Sequence, residues 1–325
     1  MLKQVLGYLS PAGEMARLSV IILHRVLPKP DPLFPGEIDA IRFDEMCVWL
    51  KHWLNILPLD EAVGRFQNGS LPARAGAITF DDGYADNHDI ALPILQKHGL
   101  TATFFVATGF LNGGRMWNDS VIECIRRTSL DSLAMGDLLG SEFSNLPVAN
   151  WDEKRAAIQK VIAQIKYFPV AQRAALAERI ALAGNAQLPS NLMMTSKQVL
   201  AMRRAGMQIG AHTESHPILA KLDAKSATAE IEQSKLALEN LLAQRVGLFA
   251  YPNGKPLEDY NAENVEMVRQ LGFDAAVCTQ RGAMRADADI FQIPRFTPWD
   301  KTSLRFATRL ATTLFVKPES VVLQS

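Results

Sequence analysis

Cysteine is scarce in this chain of 325 residues: only Cys47, Cys124 and Cys278 occur. An odd, widely spaced set without a Cys-x-x-Cys pair argues against a disulfide framework. The three are expected to be buried thiols, compatible with a reducing compartment. Net charge is also lacking, because 34 basic residues cancel 34 acidic ones. Overall charge therefore gives no electrostatic case for nucleic acid or a polyanionic partner. No long hydrophobic run is present either. Ser19-Val20-Ile21-Ile22-Leu23 falls far short of the roughly 20 apolar residues of a membrane span. The N-terminus has neither the apolar core nor the small-residue cleavage site of a secretory signal. These absences lead to the expectation of a cytoplasmic protein without a transmembrane segment. Internal repeats and low-complexity tracts are missing too.

Short apolar runs alternating with amphipathic stretches are what the chain does have. Strands are expected at Val20-Leu23, Leu54-Leu57, Ala77-Phe80, Thr103-Val106, Met207-Gly210, Leu248-Tyr251, Ala275-Cys278 and Phe291-Ile293. Several are almost wholly apolar, as in strands buried on both faces of a parallel sheet. Helices are expected from Asp86 to His98, stopping at Gly99, and from Ala224 to Ala243. Strands alternating with helices indicate an α/β fold, a (β/α)7–8 barrel that is incomplete or distorted. From about 117 to 192 no strand is evident. Two helical patterns, Trp151 to Tyr167 and Ala171 to Ala183, mark this stretch as a helical insertion in a single domain spanning 1–325. It is expected to flank the barrel mouth or to pack on its outer wall. The proline-rich loop Pro28 to Pro35 follows the first strand, where a loop borders a barrel's active face.

The polar residues at the strand ends carry the chemistry. Asp81 and Asp82 end one apolar run, and His212 and His216 follow another. Gly83 allows a sharp turn that presents both carboxylates, and strand alternation aims them differently. Imidazoles four residues apart can converge on one ion if the segment turns helically. One carboxylate and two imidazoles with an open fourth position describe a catalytic metal site, with a second carboxylate to spare. His24, Tyr251-Pro252-Asn253-Gly254 and Arg295 also fall at strand ends, where barrel active sites are built.

Thr79-Phe80-Asp81-Asp82-Gly83-Tyr84 and His212-Thr213-Glu214-Ser215-His216 resemble the first two motifs of the polysaccharide deacetylases, the NodB-homology or carbohydrate esterase family 4 group. Phe249-Ala250-Tyr251-Pro252-Asn253-Gly254 is similar to a variant third motif. The resemblance runs from about Ser19 to Phe296 and is interrupted by the helical insertion. It implies a distorted (β/α) barrel of the NodB type and metal-dependent removal of acetyl groups from sugars. It further implies that Asp82, His212 and His216 hold the metal, that Asp81 is the general base, and that backbone at Tyr251 and Pro252 helps bind the oxyanion. Zinc suits the His/His/Asp donors, and cobalt, nickel or manganese fit them as well.

Two departures stand out. Where the family usually places an arginine in its third motif, this chain has Ala250, so Arg295 is the candidate to orient Asp81. The family's late histidine is missing, because none of the six histidines follows His216. His24 is the candidate acid in its place, while His52, His88 and His98 are expected in or beside helices. The expected substrate is an N-acetylated carbohydrate: a polysaccharide, an oligosaccharide, or a lipid- or nucleotide-linked precursor. A deformylase or other amidohydrolase, or a silent carbohydrate-binding protein, would share much of this pattern. A basic amphipathic segment, Leu304 to Leu314 with Arg305 and Arg309, is expected to pack on the barrel or to touch a membrane surface.

Overall fold

The computed structural model describes residues 2–321. The strands are β1 Ser19–Leu23, β2 Asn55–Ile56, β3 Ala75–Phe80, β4 Thr103–Val106, β5 Ser132–Leu133, β6 Leu146–Pro147, β7 Gln208–Ala211, β8 Leu248–Ala250, β9 Ala275–Arg281 and β10 Ile293–Phe296. Seven of them close a parallel barrel in the order β1-β3-β4-β7-β8-β9-β10, with β10 pairing back onto β1. The short β2 pairs with the start of β3. This is the (β/α)7 member of the expected (β/α)7–8 range. The last strand lies later than the apolar run Phe291-Ile293 suggested, because burial continues through Arg295 and Phe296.

Alternation along the strands sorts their side chains into two cores. Ile21, Ile78, Phe80, Phe104, Val106, Phe249 and Cys278 join helix residues such as Phe43, Leu50, Ile231 and Phe306 in the outer layer. Val20, Ala77, Phe105, Leu248, Ala250, Val277 and Ile293 form the other cluster, inside the barrel. In register with Ala77, Asp81 points inward. In register with Ile293, so does Arg295. The alanines among these inner residues leave room for a guanidinium. Gly210 is also on an inner position, and a Cβ there would come within 2.5 Å of the Phe105 ring.

The helix expected from Asp86 opens as a π-helical turn, Asn87–Ala91, before the α-helix Leu92–His98 ends at left-handed Gly99. Hydrophobic spacing cannot report that local widening, a feature frequent near functional sites. The helix Ala224–Leu242 forms as expected, with Ile231 and Leu238 fully buried.

The chain folds as two compact units, and the second is made of Lys29–Glu37 and Asn112–Met193. This unit has its own core, built from residues that include Val121, Ile125, Ile158, Val161, Leu176 and Ile180 of the helices Trp117–Arg127, Trp151–Ile165 and Val170–Ala183. The proline-rich loop belongs to it. Leu33 is buried in its core, and Asp31 accepts two hydrogen bonds from Arg126, at 2.7 and 2.9 Å. The stretch also contains the antiparallel pair β5–β6, two residues per strand, too short to produce a period in the sequence.

The three cysteines are buried and free. Burial pushes the Cys47 thiol up to about 12 and Cys124 to about 11, so neither is poised as a nucleophile. In the helix Ser303–Thr313 and the residue that caps it, Phe306, Leu310 and Leu314 are buried, so the apolar face is spent on packing. Of the large apolar side chains there, Leu304 alone stays exposed, at 66%. No helix among the described residues is long and apolar enough to cross a membrane.

Candidate active site

The inward positions at the ends of β3, β7 and β10 build the site. Asp81 follows β3 directly, and its N–H still donates to Leu23 O across the sheet. Asp82 then turns into the left-handed region (φ 76°), as does Gly83 (φ 87°). Aspartate tolerates this conformation. A Cβ on Gly83 would come within 3.1 Å of Val106 Cγ1, so the second turn position needs glycine. The turn breaks strand alternation and lets adjacent carboxylates face different partners.

Asp81 faces Arg295. The guanidinium donates to both carboxylate oxygens, Nη1 to Oδ1 at 2.7 Å and Nη2 to Oδ2 at 2.6 Å. It is fixed from behind, because Nε donates to Cys278 O at 2.8 Å and Nη1 also reaches Thr79 Oγ1 at 3.1 Å. Such two-pronged pairing fixes orientation as well as charge. Burial pushes the Asp81 carboxyl up, but Arg295 and the nearby histidines outweigh it and hold it below the usual range. Asp81 is therefore ionised at neutral pH. The structure thus brings Arg295 of β10 onto Asp81.

Asp82 faces the two histidines. His212 Nε2 and His216 Nε2 each lie 3.4 Å from Asp82 Oδ1, and one ligand atom from each of the three residues lies within 4.8 Å of the others. A charge-assisted hydrogen bond would be shorter, about 2.7–2.9 Å. Tetrahedral bonds of ~2.0–2.1 Å to nitrogen and oxygen place neighbouring donors ~3.3 Å apart. The spacing thus fits three donors arranged around a small divalent cation. His212 Nδ1 lies 2.8 Å from Ala250 O. A carbonyl can only accept, so Nδ1 bears the proton, and in the neutral ring the Nε2 lone pair faces Asp82. Burial pushes the His216 imidazole down to about 4 despite Asp82, which keeps it neutral and able to ligate. Burial also lowers His212, but the adjacent Asp82 and Asp81 carboxylates outweigh it and raise it above its ordinary value. Asp82 itself, though raised by burial, is held far below the carboxylate range by His212, His216 and His24.

Thr213 (φ 63°) and His216 (φ 53°) are also left-handed. For a β-branched threonine that is an outlier, and such strain clusters at functional sites. It curls the loop enough to bring the two imidazole rings to 4.8 Å between centroids.

His24 follows β1. Its carbonyl accepts from Asn87 Nδ2 at 2.8 Å, and its side chain is exposed. Tyr84 is buried beneath the Arg25 guanidinium, 4.6 Å from its centroid. The other histidines are elsewhere: His98 on Asp44, His88 on Asp89, and His52 against Trp53.

The third-motif segment differs from the expectation. The Tyr251 N–H donates to Val277 O at 3.2 Å, inside the sheet, and Pro252 has no N–H to offer. The Tyr251 side chain is buried, its hydroxyl donating to Phe291 O at 3.0 Å. Continued strand pairing consumes the backbone donor expected to face an oxyanion. What this segment supplies is Ala250 O, which orients His212. A main-chain acceptor has no signature in sequence, and neither does the Thr79 hydroxyl that helps seat Arg295.

Comparison with known proteins agrees with this architecture. The family model described as polysaccharide deacetylase matches residues 68–128 and 150–276, more than half of the chain. YxkH of Bacillus subtilis (strain 168), named as a polysaccharide deacetylase, is 20% identical over 86% of this chain and 71% of its own length. A poly-beta-1,6-N-acetyl-D-glucosamine N-deacetylase of Staphylococcus aureus (strain N315) is 31% identical, over only 26% of this chain and 30% of that enzyme. Among solved structures, the Streptococcus pyogenes deacetylase PplD in complex with acetate superposes with a TM-score of 0.61 at 19% identity, covering 92% of this chain and 99% of that one. IcaB from Ammonifex degensii gives 0.55 at 19% identity, covering 93% and 97%. Fold and family together define a hydrolase of carbon–nitrogen bonds in linear amides, on a NodB-type barrel. The chain belongs to the polysaccharide deacetylase family.

Proposed function

We propose that this protein removes N-acetyl groups from an amino sugar of a polysaccharide, oligosaccharide or lipid- or nucleotide-linked precursor, in exopolysaccharide synthesis in the cytoplasm, with a divalent cation held by Asp82, His212 and His216. The chain works as one deacetylase domain into which the second unit is inserted. The observation that carries the reading is the division of labour between adjacent carboxylates: Asp82 faces two imidazoles while Asp81 is held ionised on Arg295. Zinc is the favoured ion for this donor set. When bound, such a cation polarises an amide carbonyl and acidifies water.

The chain's own groups do the rest. The Asp81 carboxylate takes the proton of the attacking water, and Arg295 keeps it aimed and ionised. His24, at the end of β1 and open to solvent, gives a proton to the leaving amine. General acid–base assistance of this kind contributes ~10²–10⁴-fold per group. Ala250 O keeps His212 in the ligating tautomer. Peripheral contact with a membrane surface, if the substrate is lipid-linked, would fall to residues other than the buried face of the helix Ser303–Thr313.

The direct test is acetate release from N-acetylated hexosamine oligosaccharides, before and after treatment with a chelator. Activity that is lost with the metal and returns with added zinc or cobalt is expected, and chelator-resistant release would sink the proposal. Formyl and acetyl substrates run side by side separate a deformylase from a deacetylase. For His24, the expected result of His24→Ala is a ~10²-fold or greater fall in kcat and loss of the basic limb of the pH–rate profile. An unaltered profile removes it as the acid.

A further inference from the structure

The two histidines that flank Thr213, Glu214 and Ser215 can meet at one point only because that loop is held in a left-handed curl. Something must hold it there, since Thr213 (φ 63°) and His216 (φ 53°) are both left-handed and the β-branched threonine disfavours that conformation. Part of the restraint is internal: Thr213 Oγ1 accepts from the His216 N–H at 3.1 Å and donates to His212 O at 2.6 Å. On one side the loop is tied to the segment after β4, with Thr108 N–H on Thr213 O at 3.2 Å and Gly109 N–H on Glu214 O at 2.9 Å.

On the other side the loop rests on Glu230. Glu230, in the second turn of the helix Ala224–Leu242, turns its carboxylate onto the loop. Its Oε2 accepts from the Glu214 N–H at 3.0 Å and from the Ser215 N–H at 2.8 Å, and Oε1 accepts from Ser215 Oγ. The Glu230 carbonyl also takes the Glu214 N–H, at 3.1 Å. Two successive backbone N–H groups converging on one carboxylate oxygen fix the loop's path between its two imidazoles. A glutamate at this helical position would otherwise be an ordinary solvated residue.

We propose that Glu230 is a positioning residue for the cation site: it sets the loop curl that brings His216 to Asp82 and His212. The inference rests on the reading of those three residues as metal ligands. Glu230 itself touches neither the cation position nor the substrate. Groups that orient metal ligands typically change metal affinity ~10–100-fold when removed.

The experiment is Co2+ titration of the full-length, metal-stripped protein, followed both by chelator competition and by the visible d–d absorption of bound cobalt. Glu230→Ala is expected to bind Co2+ ~10–100-fold more weakly, with a shifted or weakened band. Glu230→Gln is expected to recover most of the affinity, because the amide oxygen can still accept the two N–H groups and the amide nitrogen can donate to Ser215 Oγ. Should the alanine variant not fold, Glu230→Asp decides, since a shorter side chain keeps the charge but withdraws it from the loop. Parent-like affinity and band shape in Glu230→Ala, or in Glu230→Asp where that variant decides, overturn the proposal, whatever happens to the melting temperature. A parent protein that takes up no cobalt would instead strike the metal reading itself, and Glu230 with it.

Discussion

Asp81→Asn should lower the rate of acetyl release by ~10²–10⁴-fold while the protein keeps its capacity to take up a divalent cation. The reason is the separation of the two carboxylates. Asp82 faces His212 and His216, both at 3.4 Å, whereas Asp81 faces Arg295. An amide at position 81 cannot accept a proton from water, but it leaves the three donor atoms in place. It also turns one buried donor towards the arginine. An N–H of Arg295 then loses its acceptor, at ~1–3 kcal/mol of stability. Metal content and kcat, measured on the same preparation, check both halves. An asparagine variant that turns over at the parent rate would exclude Asp81 as the base.

The second large effect belongs to Arg295. Its side chain is fully buried against Asp81, whose side chain is 3% exposed. Removing one partner of such a pair leaves an uncompensated buried charge and costs ~3–5 kcal/mol, the expected loss in Arg295→Ala. The pH dependence should invert as well. In the parent, the Asp81 carboxyl lies below its unfolded value of about 3.9. Its contribution to stability is therefore complete above that pH and is lost as pH falls through the folded value. Without Arg295, burial is left as the leading influence and pushes the carboxyl above its unfolded value. The variant should then lose stability relative to the parent as pH rises from the unfolded value of about 3.9, and the acid limb of its pH–rate profile should move to higher pH. Denaturant titrations across a pH series that starts at the unfolded value check the sign. A parallel pH dependence of both proteins would contradict this account of the pair. Lysine at 295 should restore little, since an ammonium cannot span both oxygens from one fixed plane.

The site was legible in sequence to an unusual depth because its chemistry sits beside strong punctuation. Asp81 and Asp82 end an apolar run at a glycine, and His212 and His216 follow another such run at a spacing that one turn of chain can close. Arg295 could be nominated because Ala250 left a vacancy and Arg295 follows the last apolar run, Phe291-Ile293. Less legible were the features that depend on a few residues. The strands β5 and β6 are too short for a pattern, and the π-helical turn at Asn87–Ala91 is a single five-residue turn, too short to show a period of its own. The oxyanion expectation at Tyr251 and Pro252 failed on a main-chain hydrogen bond to Val277, which side-chain identity cannot announce.

By itself the sequence determined the order of the barrel strands along the chain, the barrel class and the residue types gathered at the site, since these follow from hydrophobic periodicity and from the few side chains able to bind metal or move protons. Periodicity and spacing could not say which carboxylate meets which partner, and the tertiary structure shows it. Asp81 and Asp82 are chemically identical neighbours, and only a left-handed turn between β3 and Gly83 sends one to an arginine 214 positions away and the other to two histidines. The same holds for Glu230 and Ala250 O: their roles arise from what the barrel sets beside them, a long-range juxtaposition with no local trace in the chain.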